Sequence, residues 1–242
     1  MLRRMLRLGA RDRLVAHVPA IELLREPPAR AGFVDEPQYR TLVRALRPDL
    51  RVVVALGYTF GWRIRSEVLT LQRRHVDLRA GAVRLDAGST KNGEGRVIYL
   101  TPELRQLVAE QLARVDALGR ETGAIIPHVF PHLDGAKRSA RIREFRKAWR
   151  KACRAAGLPG LLVHDLRRSA VRNLERAGVP RSTAMKMTGH KTESVYRRYA
   201  IVSAADLQDA ARRLSVGTQV GTPAVVGENG VRQTGNISDA SR

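Results

Sequence analysis

Residues 50–60 form an almost unbroken apolar segment that contains the run Val52, Val53 and Val54 and then Leu56. A helix of this composition offers no polar face to solvent, so other elements have to surround it at the centre of a domain. Pro48 stands just before the segment, where a helix commonly begins. The sequence therefore predicts a domain built around one buried helix.

A short β region follows, and most of the remaining chain is helical. Alternating patterns predict strands over 75–78, 82–86 and 96–100, and Asn92-Gly93 is a strong hairpin signal between the last two. A capping pattern at Asp35 starts an earlier helix, and Thr101-Pro102 starts a later one. Further helices are predicted over 139–156, 164–177, 181–187, 193–201 and 204–214. The expected fold class is mainly α with a small three-stranded antiparallel sheet (α+β).

The composition along the chain suggests three regions. Residues 1–32 run from an Arg/Leu-rich piece into a Pro-rich joint, which is typical of the end of a helix and a linker. Residues 33–214 carry the periodic patterns of one domain. Residues 215–242 are rich in Gly, Thr, Val, Asn and Ser without a sustained period, which predicts a flexible tail.

The charge balance indicates a polyanionic partner. Lys plus Arg total 44 against 23 Asp plus Glu, a formal net charge of +21. Such an excess favours nucleic acid, because basic side chains release the counterions condensed on its phosphates. Arginine far outnumbers lysine, which suits bidentate phosphate recognition, but a GC-rich genome would produce the same bias.

Several classes of protein are excluded. There is no run of about 18 apolar residues, so no membrane span is expected. The single cysteine, Cys153, excludes an internal disulfide and a multi-cysteine zinc site, and the six histidines lack metal-site spacing. We expect an intracellular, cytoplasmic protein that works at the nucleoid.

Five local signals could carry chemistry, although each has an ordinary explanation when taken alone. They are Arg63 after the buried helix, Lys91 at the hairpin tip, the pair His164 and Arg167 three residues apart on one helical face, His190 after a helix-ending glycine, and Tyr199 nine residues later. An arginine paired with a nearby glutamate, a solvated lysine, structural histidines and a packed aromatic would account for them singly. Their order and spacing are harder to explain by chance.

In this order, and above all in the segments HDLRR (164–168) and GHKTESVYRRY (189–199), the sequence resembles the catalytic domain of the tyrosine recombinases, or phage integrases. The resemblance covers about residues 33–214 and implies the fold of the DNA breaking-rejoining enzymes. It also implies a site-specific recombinase that cleaves DNA through a 3′-phosphotyrosyl intermediate. The implied catalytic residues are Arg63 and Arg167 as clamps on the scissile phosphate, Tyr199 as the nucleophile, Lys91 as the acid that protonates the leaving 5′-oxygen, and His164 and His190, which hold the phosphate and manage the tyrosine proton.

Elementary chemistry agrees with these roles. Two guanidiniums can neutralise the nonbridging oxygens as charge builds in the transition state. A phenol, with an ordinary pKa of about 10, needs a neighbouring base or cations before it attacks. The covalent link conserves the energy of the broken bond, so strands can be rejoined without ATP, and we expect no metal and no other cofactor.

Two positions compete with the assigned site residues. The family usually separates its first arginine from the following glutamate by three residues, whereas Arg63 and Glu67 are four apart, and Arg65 is a rival. Gly61 stands two residues before Arg63, at the family's Gly-x-Arg spacing, which favours Arg63 with a one-residue insertion. Tyr196 is a rival nucleophile, but it follows His190 by six residues instead of nine.

The resemblance also implies partners and leaves alternatives open. It implies double-stranded DNA as substrate and a homo-tetramer on DNA in which the helix over 204–214 is donated to a neighbouring subunit. Family members carry an N-terminal core-binding domain, of which residues 1–32 would supply only the last helix and linker. The alternatives are a type IB topoisomerase-like nicking and closing enzyme, and a catalytically impaired DNA-binding fragment whose basic helices contact backbone phosphates.

Overall fold

The computed structural model describes residues 2–22, 32–88, 93–200 and 204–217. Within these ranges the helices are α1 (Leu2–Arg11), α2 (Glu36–Arg44), α3 (Pro48–Phe60), α4 (Pro102–Thr122), α5 (Arg146–Ala155), α6 (Asp165–Arg176), α7 (Arg181–Thr188), α8 (Glu193–Arg197) and α9 (Ala204–Gly217). The strands are β1 (Val76–Asp77), β2 (Ala82–Leu85) and β3 (Arg96–Tyr99). The expected fold class, mainly helical with one small sheet, is confirmed.

Helix α3 lies at the centre of the core, as its apolar sequence predicts. It begins with a proline in the first turn and ends at Gly61, which adopts the left-handed conformation with φ of 66°. Helices α2, α4 and α6 pack around it. Val52, Val53 and Val54 have no exposed surface, and each such side chain contributes roughly 1.5 to 3 kcal/mol through its burial.

The predicted helix starts at Asp35 and Thr101 are confirmed. The Asp35 carboxylate accepts a hydrogen bond from the backbone of Gln38 at 2.8 Å, and the Gln38 side chain accepts one from the Asp35 backbone. This reciprocal pair satisfies two of the unpaired backbone donors at the start of α2. At the start of α4 the Thr101 hydroxyl accepts from the backbone of Leu104.

The sheet is three-stranded and antiparallel, in the order β1-β2-β3. Val83 at its middle pairs with Val76 on one side and Ile98 on the other. Each strand is slightly shorter than predicted, and β1 begins only at Val76 because His75 belongs to a 3₁₀ turn over Arg73–His75. The tip of the hairpin at 89–92, and with it Lys91, lies outside the described residues.

Two helix boundaries were predicted wrongly. The helix expected over 139–156 begins only at Arg146, since the preceding chain doubles back: His132 donates to the Ala140 carbonyl, and Ile142 donates to the Phe130 carbonyl. Those backbone groups are already paired and cannot join a helical ladder. Helix α8 ends at Arg197, so Tyr199 lies in the turn that follows it, with its backbone N–H donated to the Tyr196 carbonyl.

The chain divides into two compact units, 1–201 and 202–242. Of the second unit the structure describes α9, where Leu207 and Leu214 are seven residues apart and therefore share a face. The tail predicted over 215–242 lies outside the described residues beyond 217. No helix among the described ranges is long and apolar enough to cross a membrane.

The contact between α3 and α6 should dominate stability. Leu166 of α6 has no exposed surface and lies beside Gly57 of α3. Leu166→Ala should therefore lower the free energy of unfolding by about 2 to 5 kcal/mol in urea denaturation, because it leaves a cavity. Leu162→Ala is the matched control, since Leu162 is 49% exposed and should cost at most about 0.5 kcal/mol. Equal losses in both variants would contradict the central place of this contact.

Candidate active site

Arg63 and Glu67 pair across a π-helical turn. After Gly61 the chain forms this turn over Ile64–Val68. The Glu67 carboxylate accepts a hydrogen bond from the Arg63 backbone N–H at 2.8 Å and another from the Arg63 Nη1 at 2.7 Å. A π turn closes over one more residue than an α turn. It therefore takes up the extra residue between Arg63 and Glu67.

The same turn separates Arg63 from its rival. Glu67 is fully buried and the Arg63 side chain is 26% exposed, so the ion pair lies at the mouth of a pocket. Arg65 is an exposed residue of the turn and lines a groove next to α5. The positive charge of Arg63, by contrast, acts on Arg167 and on both His164 and His190.

Arg167 lies in the first turn of α6 and is 2% exposed. Its Nη1 donates to the carbonyl oxygens of Gly61 at 2.5 Å and Thr188 at 2.7 Å. These carbonyls stand at the C-termini of α3 and α7, where helix dipoles favour a cation. Burial, followed by repulsion from Arg63, lowers the pKa of Arg167 to about 10, so the guanidinium stays charged at neutral pH.

His190 follows the end of α7, where Gly189 adopts the left-handed conformation with φ of 71°. The Thr188 hydroxyl donates to the Ala184 carbonyl, so it accepts from the His190 Nδ1–H at 2.7 Å. The other ring nitrogen, Nε2, is then free to accept from the Arg167 Nη2 at 2.8 Å. Burial and the charge of Arg167 lower the pKa of His190 to about 3, which keeps the ring neutral.

Tyr199 and His164 contact each other at the surface of this pocket. The Tyr199 hydroxyl lies 3.2 Å from the His164 Nε2. The Arg167 guanidinium lies 5.7 Å from the centre of the Tyr199 ring, and the His190 ring centre lies 5.0 Å from it. Burial, followed by the charges of Arg167 and Arg168, lowers the pKa of His164 below its ordinary value.

The rival tyrosine occupies a different environment. Tyr196 has no exposed surface and packs in a cluster with Val171, Leu174 and Ala184. Burial raises the pKa of Tyr196 above its ordinary value, which disfavours the phenolate. Its ring touches His190 edge-on at 5.3 Å between centres. Tyr196 is thus a core residue that supports the turn on which Tyr199 lies.

Five of the six site residues expected from the sequence converge in this pocket. They are Arg63, His164, Arg167, His190 and Tyr199. The sixth, Lys91, falls in the undescribed segment 89–92. Strand β3, which begins at Arg96, contacts α7 and reaches the pocket through the ion pair of Arg96 with Glu67.

Sequence reasoning missed one buried cation. The Arg96 side chain, at the start of β3, is 8% exposed, and its Nη2 lies 2.5 Å from the Glu67 carboxylate. The guanidinium also lies 5.7 Å from the centre of the Trp62 ring. One signal could have found it: strand alternation puts Arg96 on the same face as Ile98, which is buried.

Beside the pocket lies a basic surface. Helix α5 carries exposed basic side chains and no acidic residue; they are Arg146, Lys147, Arg150, Lys151 and Arg154. An apolar groove of about 750 Å³ runs between this helix and His164, with Trp149 and Leu161 in its wall. The candidate site is therefore continuous with a surface suited to a polyanion.

In chemical terms the pocket combines a strong cationic field with two neutral imidazoles and a phenol. Two guanidiniums, of Arg63 and Arg96, pair with the carboxylate of Glu67, and the buried guanidinium of Arg167 is close enough to be affected by the charges of Arg63 and Glu67. Such a pocket favours an anion with several oxygens, such as a phosphodiester. The phenol of Tyr199, next to a neutral imidazole, stands where it could attack that anion.

Known proteins share both the sequence pattern and the fold. The phage integrase family matches residues 33–205. The integrase of Salmonella phage P22 is 24% identical over 218 residues, which cover 88% of this chain and 55% of that protein. The shufflon-specific DNA recombinase of Escherichia coli is 28% identical over 203 residues, or 80% of this chain and 47% of that protein. The chain thus spans about half the length of these relatives.

Solved structures show the same fold at low identity. XerA recombinase superposes with a TM-score of 0.62 at 16% identity, over 79% of this chain and 66% of its own. The catalytic domain of bacteriophage HP1 integrase gives 0.51 at 21% identity, over 78% of this chain and all of its own. The Tn1549 transposon integrase in complex with circular intermediate DNA gives 0.66 at 13% identity, over 86% of this chain and 75% of its own. Because the family match spans most of the folded region and carries the residues that form the pocket, this chain belongs to the phage integrase family, the tyrosine recombinases.

Proposed function

We propose that this chain carries the catalytic centre of a site-specific DNA recombinase that cuts and rejoins strands through a 3′-phosphotyrosyl intermediate. The observation that carries the proposal is the contact between the Tyr199 hydroxyl and the His164 Nε2, at the edge of a pocket that holds Arg63 and Arg167. The nucleophile, its base and two cations for a phosphate are thereby within reach of one another. Relatives named integrase and shufflon-specific DNA recombinase support the same proposal.

In this mechanism the scissile phosphate binds between Arg63 and Arg167. The Tyr199 oxygen attacks phosphorus and its proton passes to the His164 Nε2, which is free to accept it when the neutral ring carries its hydrogen on Nδ1. The bond from phosphorus to the 5′-oxygen breaks, and the electron pair leaves with that oxygen. We assign Lys91 as the donor of the proton that the 5′-oxygen takes up. Reversal by the 5′-hydroxyl of another strand exchanges partners without a cofactor.

His190 and Arg167 act as one unit in this scheme. His190 accepts from Arg167 in the free protein, and its Nδ1 is fixed by Thr188. The neutral ring therefore orients the guanidinium until a phosphate oxygen takes over one of its donors. This arrangement prepares the clamp before DNA arrives.

We propose double-stranded DNA as the substrate and α5 as part of its binding surface. In the assembly, α9 would pack on a neighbouring subunit through the face that carries Leu207 and Leu214, giving a homo-tetramer on DNA. Nicking and closing of one strand at a time, as in type IB topoisomerases, remains the second candidate function, because it would use the same pocket without a tetramer. A catalytically impaired DNA-binding fragment is the third.

Replacement of the nucleophile tests the proposal directly. A pool of short duplexes, randomised around a nick, traps covalent protein–DNA adducts because the cleaved end is lost and cannot be rejoined. The full chain should form adducts and Tyr199→Phe should form none, since the attacking oxygen is missing. Tyr196→Phe is the matched control and should keep at least about a third of the adduct yield, because Tyr196 only packs. Adducts that persist in Tyr199→Phe and vanish in Tyr196→Phe would reverse the assignment.

The pH dependence follows from His164, which has to be neutral to accept the proton. The pKa of His164 lies below the ordinary value of about 6.5. The second-order rate of adduct formation should therefore be constant from neutral pH down to about pH 6.5 and should fall only at lower pH. The charged or titratable groups that act on it are Arg63, Asp165, Arg167, Arg168 and Tyr199. Arg168→Gln removes a positive charge, so the acid limb should move to higher pH. An acid limb that does not move, or one above pH 6.5 in the unchanged protein, would remove His164 from this role.

The salt dependence of binding tests the basic surface. The affinity for a duplex should fall with salt with a slope of about −0.9 per phosphate contact on a double-logarithmic plot. Arg150→Gln in α5 should make the slope shallower by about one unit while the rate of adduct formation at saturating DNA stays unchanged. Arg114→Gln serves as the control, because this α4 residue already pairs with Glu110. Identical slopes in all three proteins would exclude α5 from the interface.

A further inference from the structure

Glu67 is the only acidic side chain that the described part of the pocket places against its guanidiniums, and it serves two of them. It has no exposed surface. The Glu67 Oε1 lies 2.7 Å from the Arg63 Nη1 and 2.5 Å from the Arg96 Nη2. The Glu67 Oε2 accepts a hydrogen bond from the Arg63 backbone N–H at 2.8 Å. One buried carboxylate therefore joins the strand β3 to the arginine at the mouth of the pocket.

The charges of this trio do not cancel. Arg63 and Glu67 alone would form a neutral pair, and a neutral pair attracts a phosphate only weakly. With Arg96 the trio keeps a net charge of +1. Because Arg96 and Glu67 are both buried, water screens their charges little, and the surplus acts across the pocket.

The surroundings of Arg96 suggest more than an anchoring ion pair. Its Nη1 is buried and has no hydrogen-bond partner among the described residues, a costly arrangement in a protein interior. The guanidinium lies against Gly189, where a Cβ atom would overlap it. The turn that presents His190 is thus shaped around Arg96. A neutral side chain of similar length would fill this space without the unpaired donor.

We propose that Arg96 is a positioning residue that offsets the charge of Glu67, so that Arg63 is held in place by the carboxylate yet keeps an uncompensated positive charge for the phosphate. Glu67 fixes the position of the Arg63 side chain, but its negative charge cancels the positive charge of Arg63. The positive charge of Arg96 offsets the carboxylate and restores the net positive charge. The proposal rests on the proposed function, in which Arg63 binds the scissile phosphate. It predicts that the net charge of the trio, and not the presence of Arg96 itself, sets the rate.

The test compares the unchanged chain with Arg96→Met, Arg96→Lys and the double variant Glu67→Gln/Arg96→Met. The net charge of the trio is +1 in the unchanged chain, 0 in Arg96→Met, and +1 again in Arg96→Lys and in the double variant. Arg84→Met, an exposed position on the same sheet, is the matched control. Circular dichroism and thermal melting in chloride establish that each variant folds.

Single-turnover adduct formation with the nicked duplex pool should fall about 30-fold or more in Arg96→Met, the range seen when one charge-stabilising donor is lost. Arg96→Lys and the double variant should each recover at least about a third of this loss, measured as the logarithm of the rate. The control, Arg84→Met, should react at the rate of the unchanged chain. If the double variant is as slow as Arg96→Met or slower, Arg96 is only a structural anchor and the proposal is overturned.

A second measurement separates this proposal from the proposed function. Inorganic phosphate should raise the unfolding midpoint of the unchanged chain and of the double variant relative to chloride of equal ionic strength, because it binds the folded pocket. In Arg96→Met the increase should be less than about half as large. If the unchanged chain forms no adduct but phosphate discriminates the variants in this way, the recombinase function fails and the role of Arg96 stands. Equal increases in all variants would overturn the role of Arg96 whatever the adducts show.

Discussion

The buried guanidinium of Arg167 is the interaction on which the arrangement of the pocket depends. Burying a cation is costly, and here the cost is offset by the carbonyl oxygens of Gly61 and Thr188 at the ends of two helices. Three helices, α3, α6 and α7, therefore meet at one charge. His190 follows directly from this meeting point, and Tyr199 lies over the same guanidinium. The residue proposed as a phosphate clamp thus also holds together the surroundings of Tyr199, the proposed nucleophile.

Much of this architecture could be predicted from local sequence. The apolar run in α3, the capping pattern at Asp35 and the hairpin signal before β3 are short-range features, and the fold confirms the elements they predict. The start of α5 was missed because the residues before it pair with the segment around Phe130, a contact that periodicity does not reveal. The order of residues along the chain indicated Arg63 and Tyr199 as site candidates. The pairing of Arg96 with Glu67, by contrast, is a long-range contact that only the fold reveals.

The unusual spacing between Arg63 and Glu67 has a simple structural counterpart. A π-helical turn accommodates the additional residue, and the carboxylate still reaches both the backbone and the side chain of Arg63. Ile64 stands three residues before Glu67, where the family usually has its arginine, and it is buried next to Gly57. An insertion that moved Arg63 would separate it from Arg167. Here it leaves the ion pair intact.

The charges collected in the pocket also govern when a proton can move. Burial, followed by the positive charges of Arg167, Arg168 and Arg63, lowers the pKa of His164, so in the free protein its imidazole binds a proton weakly. A phosphodiester between the guanidiniums would offset part of these charges and raise the proton affinity of His164. The proton acceptor would therefore strengthen when the anion to be attacked is in place. In the proposed mechanism, binding of the phosphate and acceptance of the proton would therefore be coupled through the same charges.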